Sequence, residues 1–138
     1  MRIMGLDYGT RRIGVAMSDE LLLTAQGSAT IFNNTFPETV SAITRLIKEN
    51  GVSEVIVGLP ISMNGTHSQK TKEVIEFVEN LMKSLPVPVK TWDERLTTAQ
   101  AERALLEADM SRAKRKRLND MVAAQLILQG YLDSRKRG

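Results

Sequence analysis

Cysteine is absent from the 138 residues, which excludes disulfides and thiolate metal sites and fits a reducing compartment. Histidine occurs once, as His67 in a polar loop, and it reads as a loop residue rather than a proton-transfer group. Aromatic residues make up only 4%, so aliphatic side chains must carry the core; Trp92 and the methionines are read as part of it. No apolar run approaches the roughly 20 residues needed to span a bilayer. The first residues run straight into a strand-like segment rather than a charged-then-apolar leader. The expectation is a soluble, cytoplasmic protein with no membrane partner.

What remains is ordinary for a globular chain, at 42% hydrophobic and 25% charged residues. The length suits one domain over residues 1–138 with a sizeable core. The formal net charge is +3, but it is unevenly spread. Residues 112–138 hold 8 of the 19 basic residues and 2 of the 16 acidic ones, leaving residues 1–111 with 11 against 14, a net of −3. A mildly acidic body with a basic C-terminal segment points to a polyanionic partner. The alternative is a solvated helix end and tail.

The pattern along the chain starts with β-compatible segments at 2–7, 12–18 and 24–32, joined by short links. Gly9 is expected to give the first link its backbone freedom. Three such strands suggest an antiparallel meander. Helical spacing of Val40, Ile43, Leu46 and Ile47 predicts a helix over 37–49, stopped at Asn50-Gly51. Residues 54–59 (EVIVGL) read as a strand buried on both faces. A second helix is predicted over 68–85, with Val74, Ile75, Val78, Leu81, Met82 and Leu85 on one stripe, followed by a strand over 87–92. Thr97 or Thr98 can cap a third helix, with Glu102 in its first turn. A long last helix over 114–134 is predicted to turn Leu118, Val122, Leu126 and Leu132 to the core. The order β-β-β-α-β-α-β-α-α implies a mixed sheet in which the helix-linked strands are parallel.

Three acids stand at element boundaries: Asp7 in residues 4–10 (MGLDYGT), Glu94 in 92–97 (WDERLT) and Asp120 in 117–124 (RLNDMVAA). A carboxylate beside an apolar segment is costly to bury alone. Brought together, the three would make a pocket for divalent cations, and such pockets often cut phosphodiester bonds. In a sheet of this kind sites gather at the carboxyl ends of the parallel strands, where Asp7 and Glu94 both fall. Each acid has a plainer reading. Asp7 could cap a turn, Glu94 could pair with Arg95, and Asp120 could be an exposed helical acid. Asp93 rivals Glu94, because neighbours in a strand point oppositely.

Arg11, Arg12 and Arg95 border the same motifs and suit phosphate contacts through their planar donor forks. Local pairing with Asp19 or Asp93 is the competing explanation. The run Arg112, Lys114, Arg115, Lys116 and Arg117 could follow a phosphate backbone, with salt-sensitive, sequence-independent affinity.

With these residues in place, the chain resembles the YqgF family, small ribonuclease H-like proteins described as Holliday-junction-resolvase-like and as pre-16S rRNA nucleases. The resemblance rests on residues 4–19 (MGLDYGTRRIGVAMSD), 55–66 (VIVGLPISMNGT), 92–98 (WDERLTT) and 119–132 (NDMVAAQLILQGYL). It implies an α/β ribonuclease H-like fold, with a five-stranded mixed sheet of three antiparallel strands then two parallel ones, flanked by helices. It further implies that Asp7, Glu94 and Asp120 are catalytic carboxylates holding Mg²⁺ or Mn²⁺, with two ions the usual count for in-line displacement. The expected activity is hydrolysis of a nucleic-acid backbone, with 5′-end processing of pre-16S ribosomal RNA ahead of branched DNA, in a monomer or homodimer. A non-catalytic RNA-binding assembly factor is the third reading. The turn at Asp7–Thr10 also resembles the phosphate loop of sugar kinases and actin-like ATPases. Those need two such domains around a nucleotide, which this length does not supply.

Overall fold

The computed structural model describes residues 1–61, 65–94 and 112–137, with side chains in the last segment described for 120–135. Strands β1 (Arg2–Asp7), β2 (Arg12–Ser18) and β3 (Ala25–Phe32) come first, then helix α1 (Phe36–Asn50), strand β4 (Val52–Leu59), helix α2 (Gln69–Ser84), strand β5 (Val89–Asp93) and helix α3 (Arg112–Arg137). The sheet order is β3-β2-β1-β4-β5. β1 is antiparallel to β2 and β2 to β3, whereas β4 runs parallel to both β1 and β5. The expected mixed sheet is therefore the one observed. The helix expected to begin at Thr97 or Thr98 lies outside the described residues.

Local chemistry explains where the helices begin and end. Thr35 caps α1 by accepting from the Glu38 amide at 3.3 Å, and Pro37 sits in the first turn. Gly51 closes that helix in the left-handed region at φ 65°, where glycine has no Cβ penalty. Ser68 and Thr71 form a reciprocal capping box at the start of α2. The Thr71 hydroxyl also donates to the Pro60 carbonyl, fastening α2 to the carboxyl end of β4.

The two faces of the sheet are packed differently. Met4, Leu6, Ile13, Val15, Val55, Val57 and Val89 face α1 and α2, against Ile43, Ile47, Val74, Phe77, Val78 and Leu81. Met82 is 54% exposed, so the expected α2 stripe ends at Leu81 and Leu85 without it. Met1 is exposed as well, so the methionines are not uniformly core.

On the other face, Ile3, Ala16, Ala25 and Ile56 meet α3. The buried stripe of α3 is Ala124, Ile127, Leu128 and Leu132. The expected stripe shares only Leu132 with it; Val122 and Leu126 are half-buried, and the Leu118 side chain lies outside the described residues. The difference follows from the sheet beneath. Gly5, Gly14, Gly27 and Gly58 lie on four neighbouring strands, and a Cβ at any of them would press on α3, at Leu128, Asp120, Met121 and Ile127 in turn. A track free of side chains lets the helix settle close to the strands. Small Ala124 suits that close approach. Gly9 also serves close approach rather than unusual dihedrals. Its φ is not positive, but a Cβ there would strike the Arg12 carbonyl.

Candidate active site

Alternation along the strands decides which acids can meet. Leu6 faces α1 and α2, so Asp7, the last residue of β1, turns to the α3 face with Ile3 and Gly5. On β5, Val89 packs toward α1 and α2 and Trp92 toward α3. Glu94, one residue beyond that strand, therefore falls on the same side as Asp7, and Asp93 on the opposite side. Parity thus sets Glu94, rather than Asp93, on the side of the sheet that Asp7 faces.

The Asp7 and Glu94 carboxyl groups come within hydrogen-bonding reach of each other. Two carboxyl groups can share a hydrogen bond only if one carries a proton. Burial pushes the Asp7 pKa up to about 8, helped by the charges of Glu94 and Asp120 and opposed by that of Lys70. Burial also raises Glu94, against the opposing charge of Lys70 and the Asp7 hydrogen bond. Lys70, second residue of α2, acts on both acids by its charge. Sequence reasoning did not single it out. The available signal was topological: α2 starts just after β4, at the sheet rim where sites gather.

Two glycines make room for this arrangement. Gly14 pairs with Asp7 across β1 and β2 and lies directly under the Asp120 backbone. Gly58, on β4, lies under Glu94, and a Cβ there would stand 2.9 Å from the Glu94 carboxyl carbon. Asp120 enters from α3 at 22% side-chain exposure, so it is not simply a solvated helical acid. Its Oδ2 stands 3.1 Å from the Arg12 Nε. Arg12 therefore pairs with neither of the local acids proposed for it. Asp19 instead accepts from the Leu23 and Thr24 amides, at 2.7 and 3.0 Å.

Among the described residues, no three acidic, imidazole or thiol side chains stand close enough to hold one ion. Asp7 and Glu94 meet, and Asp120 acts on Asp7 by charge while tied to Arg12. The donors are all carboxylate oxygens, the chemistry that hard divalent cations prefer. A buried acid pair, with a third acid acting on it by charge, fits a cation site in kind. Arg11 is exposed in the β1–β2 turn, and His67 is exposed in the segment before α2. Arg95 lies outside the described residues. Arg112, Lys114, Arg115, Lys116 and Arg117 belong to the first turns of α3, with side chains outside the described residues. No helix among the described residues is long and apolar enough to cross a membrane.

This sheet order, with one helix laid across the acid-bearing face, defines the class as a ribonuclease H-like α/β fold. RuvC of T. thermophilus, solved in complex with a Holliday junction substrate, superposes with a TM-score of 0.56, at 14% identity over 99% of this chain and 96% of that one. The Fowlpox virus resolvase, solved with Holliday junction DNA, gives 0.58 at 14% identity, over 97% and 98% of the two chains. At the level of sequence, residues 1–134 match the family described as "RuvX: Holliday junction resolvase", and the chain belongs to that family, as the YqgF resemblance implied. Its relatives include proteins named "Putative pre-16S rRNA nuclease" from Halothermothrix orenii and Clostridium novyi. The first is 54% identical over 96% of this chain and 95% of its own, and the second 52% identical over 97% and 99%.

Proposed function

We propose that this chain is a divalent-metal-dependent nuclease whose catalytic carboxylates are Asp7, Glu94 and Asp120, within one ribonuclease H-like domain over residues 1–138. The observation that carries the reading is the close approach of the buried Asp7 and Glu94 carboxyl groups, with Asp120 near enough for its charge to act on Asp7. Asp7 and Glu94 approach each other although 87 residues separate them in the chain (94 − 7), and Asp120, 26 residues further on (120 − 94), acts on Asp7 by its charge. A structural protein has little use for such mutual repulsion in a buried place.

Mg²⁺ or Mn²⁺, as two ions in the usual arrangement, would be held by Asp7, Glu94 and Asp120 and would supply water activation and neutralisation of the phosphate charge. The protein's own groups prepare for this. A proton held between Asp7 and Glu94 would have to be released for the two carboxylates to hold a cation. Arg12 holds Asp120 at the rim, and Lys70 moderates the local negative charge. In the hydrolysis a water oxygen bonds to phosphorus, one P–O ester bond breaks, and the departing oxygen takes up a proton. Arg11, Arg12 and Arg95 are assigned to phosphates near the scissile bond. Arg112, Lys114, Arg115, Lys116 and Arg117 are assigned to the flanking backbone. At about 1.5 Å per residue, Arg112 begins α3 only about 12 Å along the axis from Asp120.

The substrate favoured is the small-subunit ribosomal RNA precursor, because the name borne by the relatives specifies a pre-16S rRNA, with its 5′ end as the part processed; the site of action is then the cytoplasm. Branched DNA is the second reading, supported by the description of the family. Incubation with labelled precursor RNA ends, duplexes and four-way junctions, with and without Mn²⁺, tests both. Binding without cleavage of any substrate would instead identify a non-catalytic assembly factor.

A further inference from the structure

A cavity of about 480 Å³ opens on the side of the sheet away from the acid pair, between α2, the β1–β2 turn and the β3–α1 link. Its size falls within the roughly 300–1,000 Å³ of small-ligand sites. The proposed nuclease chemistry makes no use of it. Helix α2 presents Glu73, Glu76, Phe77 and Asn80 to it, one stripe at helical spacing. Tyr8 and Phe36 complete an aromatic floor, with the Tyr8 and Phe77 ring centroids 4.5 Å apart and Phe36 edge-on to Phe77 at 6.3 Å.

The sign of the lining narrows the ligand. Among the described residues Glu73 and Glu76 are its only charged groups, and neither takes part in an ion pair there. A phosphate would be repelled there. A cation would meet two carboxylates and the negative faces of aromatic rings. A guanidinium suits both surfaces, since its plane stacks on rings while its edge donates to carboxylates.

We propose that this cavity binds a guanidinium or ammonium group carried on an aliphatic stem, as on an arginine side chain of a protein partner or on a free polyamine. The site stands apart from the nuclease reading, because none of its lining residues is assigned to catalysis. Isothermal titration of the full chain with a blocked tri-arginine peptide, with spermidine and with guanosine monophosphate tests it. The peptide is expected to bind one to one, and E73Q/E76Q to weaken it by about tenfold, whereas Asp7→Asn leaves its affinity unchanged. Binding of spermidine alone, equally sensitive to E73Q/E76Q, would support the site with a polyamine as its source. Binding of neither cation, affinity indifferent to E73Q/E76Q in a variant with an unaltered melting curve, or displacement of the peptide by guanosine monophosphate would each overturn the proposal.

Discussion

Gly14 lies so close beneath Asp120 that a single added methyl group would run into the Asp120 carbonyl oxygen. Gly14 is also the cross-strand partner of Asp7. One position without a side chain therefore sets how near the α3 acid comes to the β1 acid. Gly14→Ala must lift or slide the helix, because the obstacle is backbone and cannot rotate away. The expected cost is about 3 kcal/mol of stability. A displacement of about 1 Å at a catalytic group can cost about 100-fold in rate, so cleavage should fall further than the melting temperature suggests. Activity unchanged in a folded Gly14→Ala protein would detach Asp120 from the site.

Asp7→Asn removes an acid whose pKa burial pushes up to about 8. Mn²⁺-dependent cleavage should disappear, while the melting temperature without divalent ions stays equal or rises, since Asn occupies the buried position without a group that burial and the neighbouring acids keep from ionising. Added Mn²⁺ should raise the melting temperature of the unmodified protein and not that of the mutant. A purified mutant that still cleaves would remove Asp7 from the catalytic set.

Stability should depend on pH in a definite direction. The Asp7 carboxyl stands at about 8 in the folded protein, against an ordinary 3.8. Between those values the unfolded chain has released the proton that the folded chain keeps, so raising the pH favours unfolding. The contribution is fully present below about 3.8 and lost as pH climbs through about 8. Denaturant titrations without divalent ions, at several pH values across that window, should show the decline, and Asp7→Asn should flatten it. Lys70→Gln removes a charge that lowers both acids, so it should carry the decline to higher pH. A profile indifferent to both substitutions would refute the buried-pair assignment.

Neutralising Lys114, Arg115, Lys116 and Arg117 should weaken binding to unrelated nucleic acids alike. The slope of log affinity against log salt should become shallower, by roughly 0.7 to 0.9 for each phosphate that the protein ceases to neutralise. An effect confined to one sequence would mean that these residues read bases rather than backbone.

Leu128 is fully buried on α3 and packs over Gly5. Leu128→Ala should cost about 2–5 kcal/mol, measured by urea unfolding. A cost below about 1 kcal/mol would show that α3 contributes little to the core.

Element order, most helix ends and the three acids are legible in the chain alone. These features are local: Thr35, Pro37 and Gly51 mark α1 through hydrogen bonds and dihedrals within a few residues, and each acid stands in a short distinctive motif. The apolar face of α3 is not legible in this way, because Leu118, Val122 and Leu126 satisfy helical spacing as well as Ala124, Ile127 and Leu128 do. Periodicity cannot choose between two stripes; the glycine track on the sheet chooses, and it is assembled from four separate strands. Folding itself brought the charge of Lys70 to bear on the acids, turned Arg12 toward Asp120 rather than toward Asp19 or Asp93, and opened the acidic, aromatic cavity behind them. Such charge contacts form between segments far apart in the chain, so no local pattern encodes them.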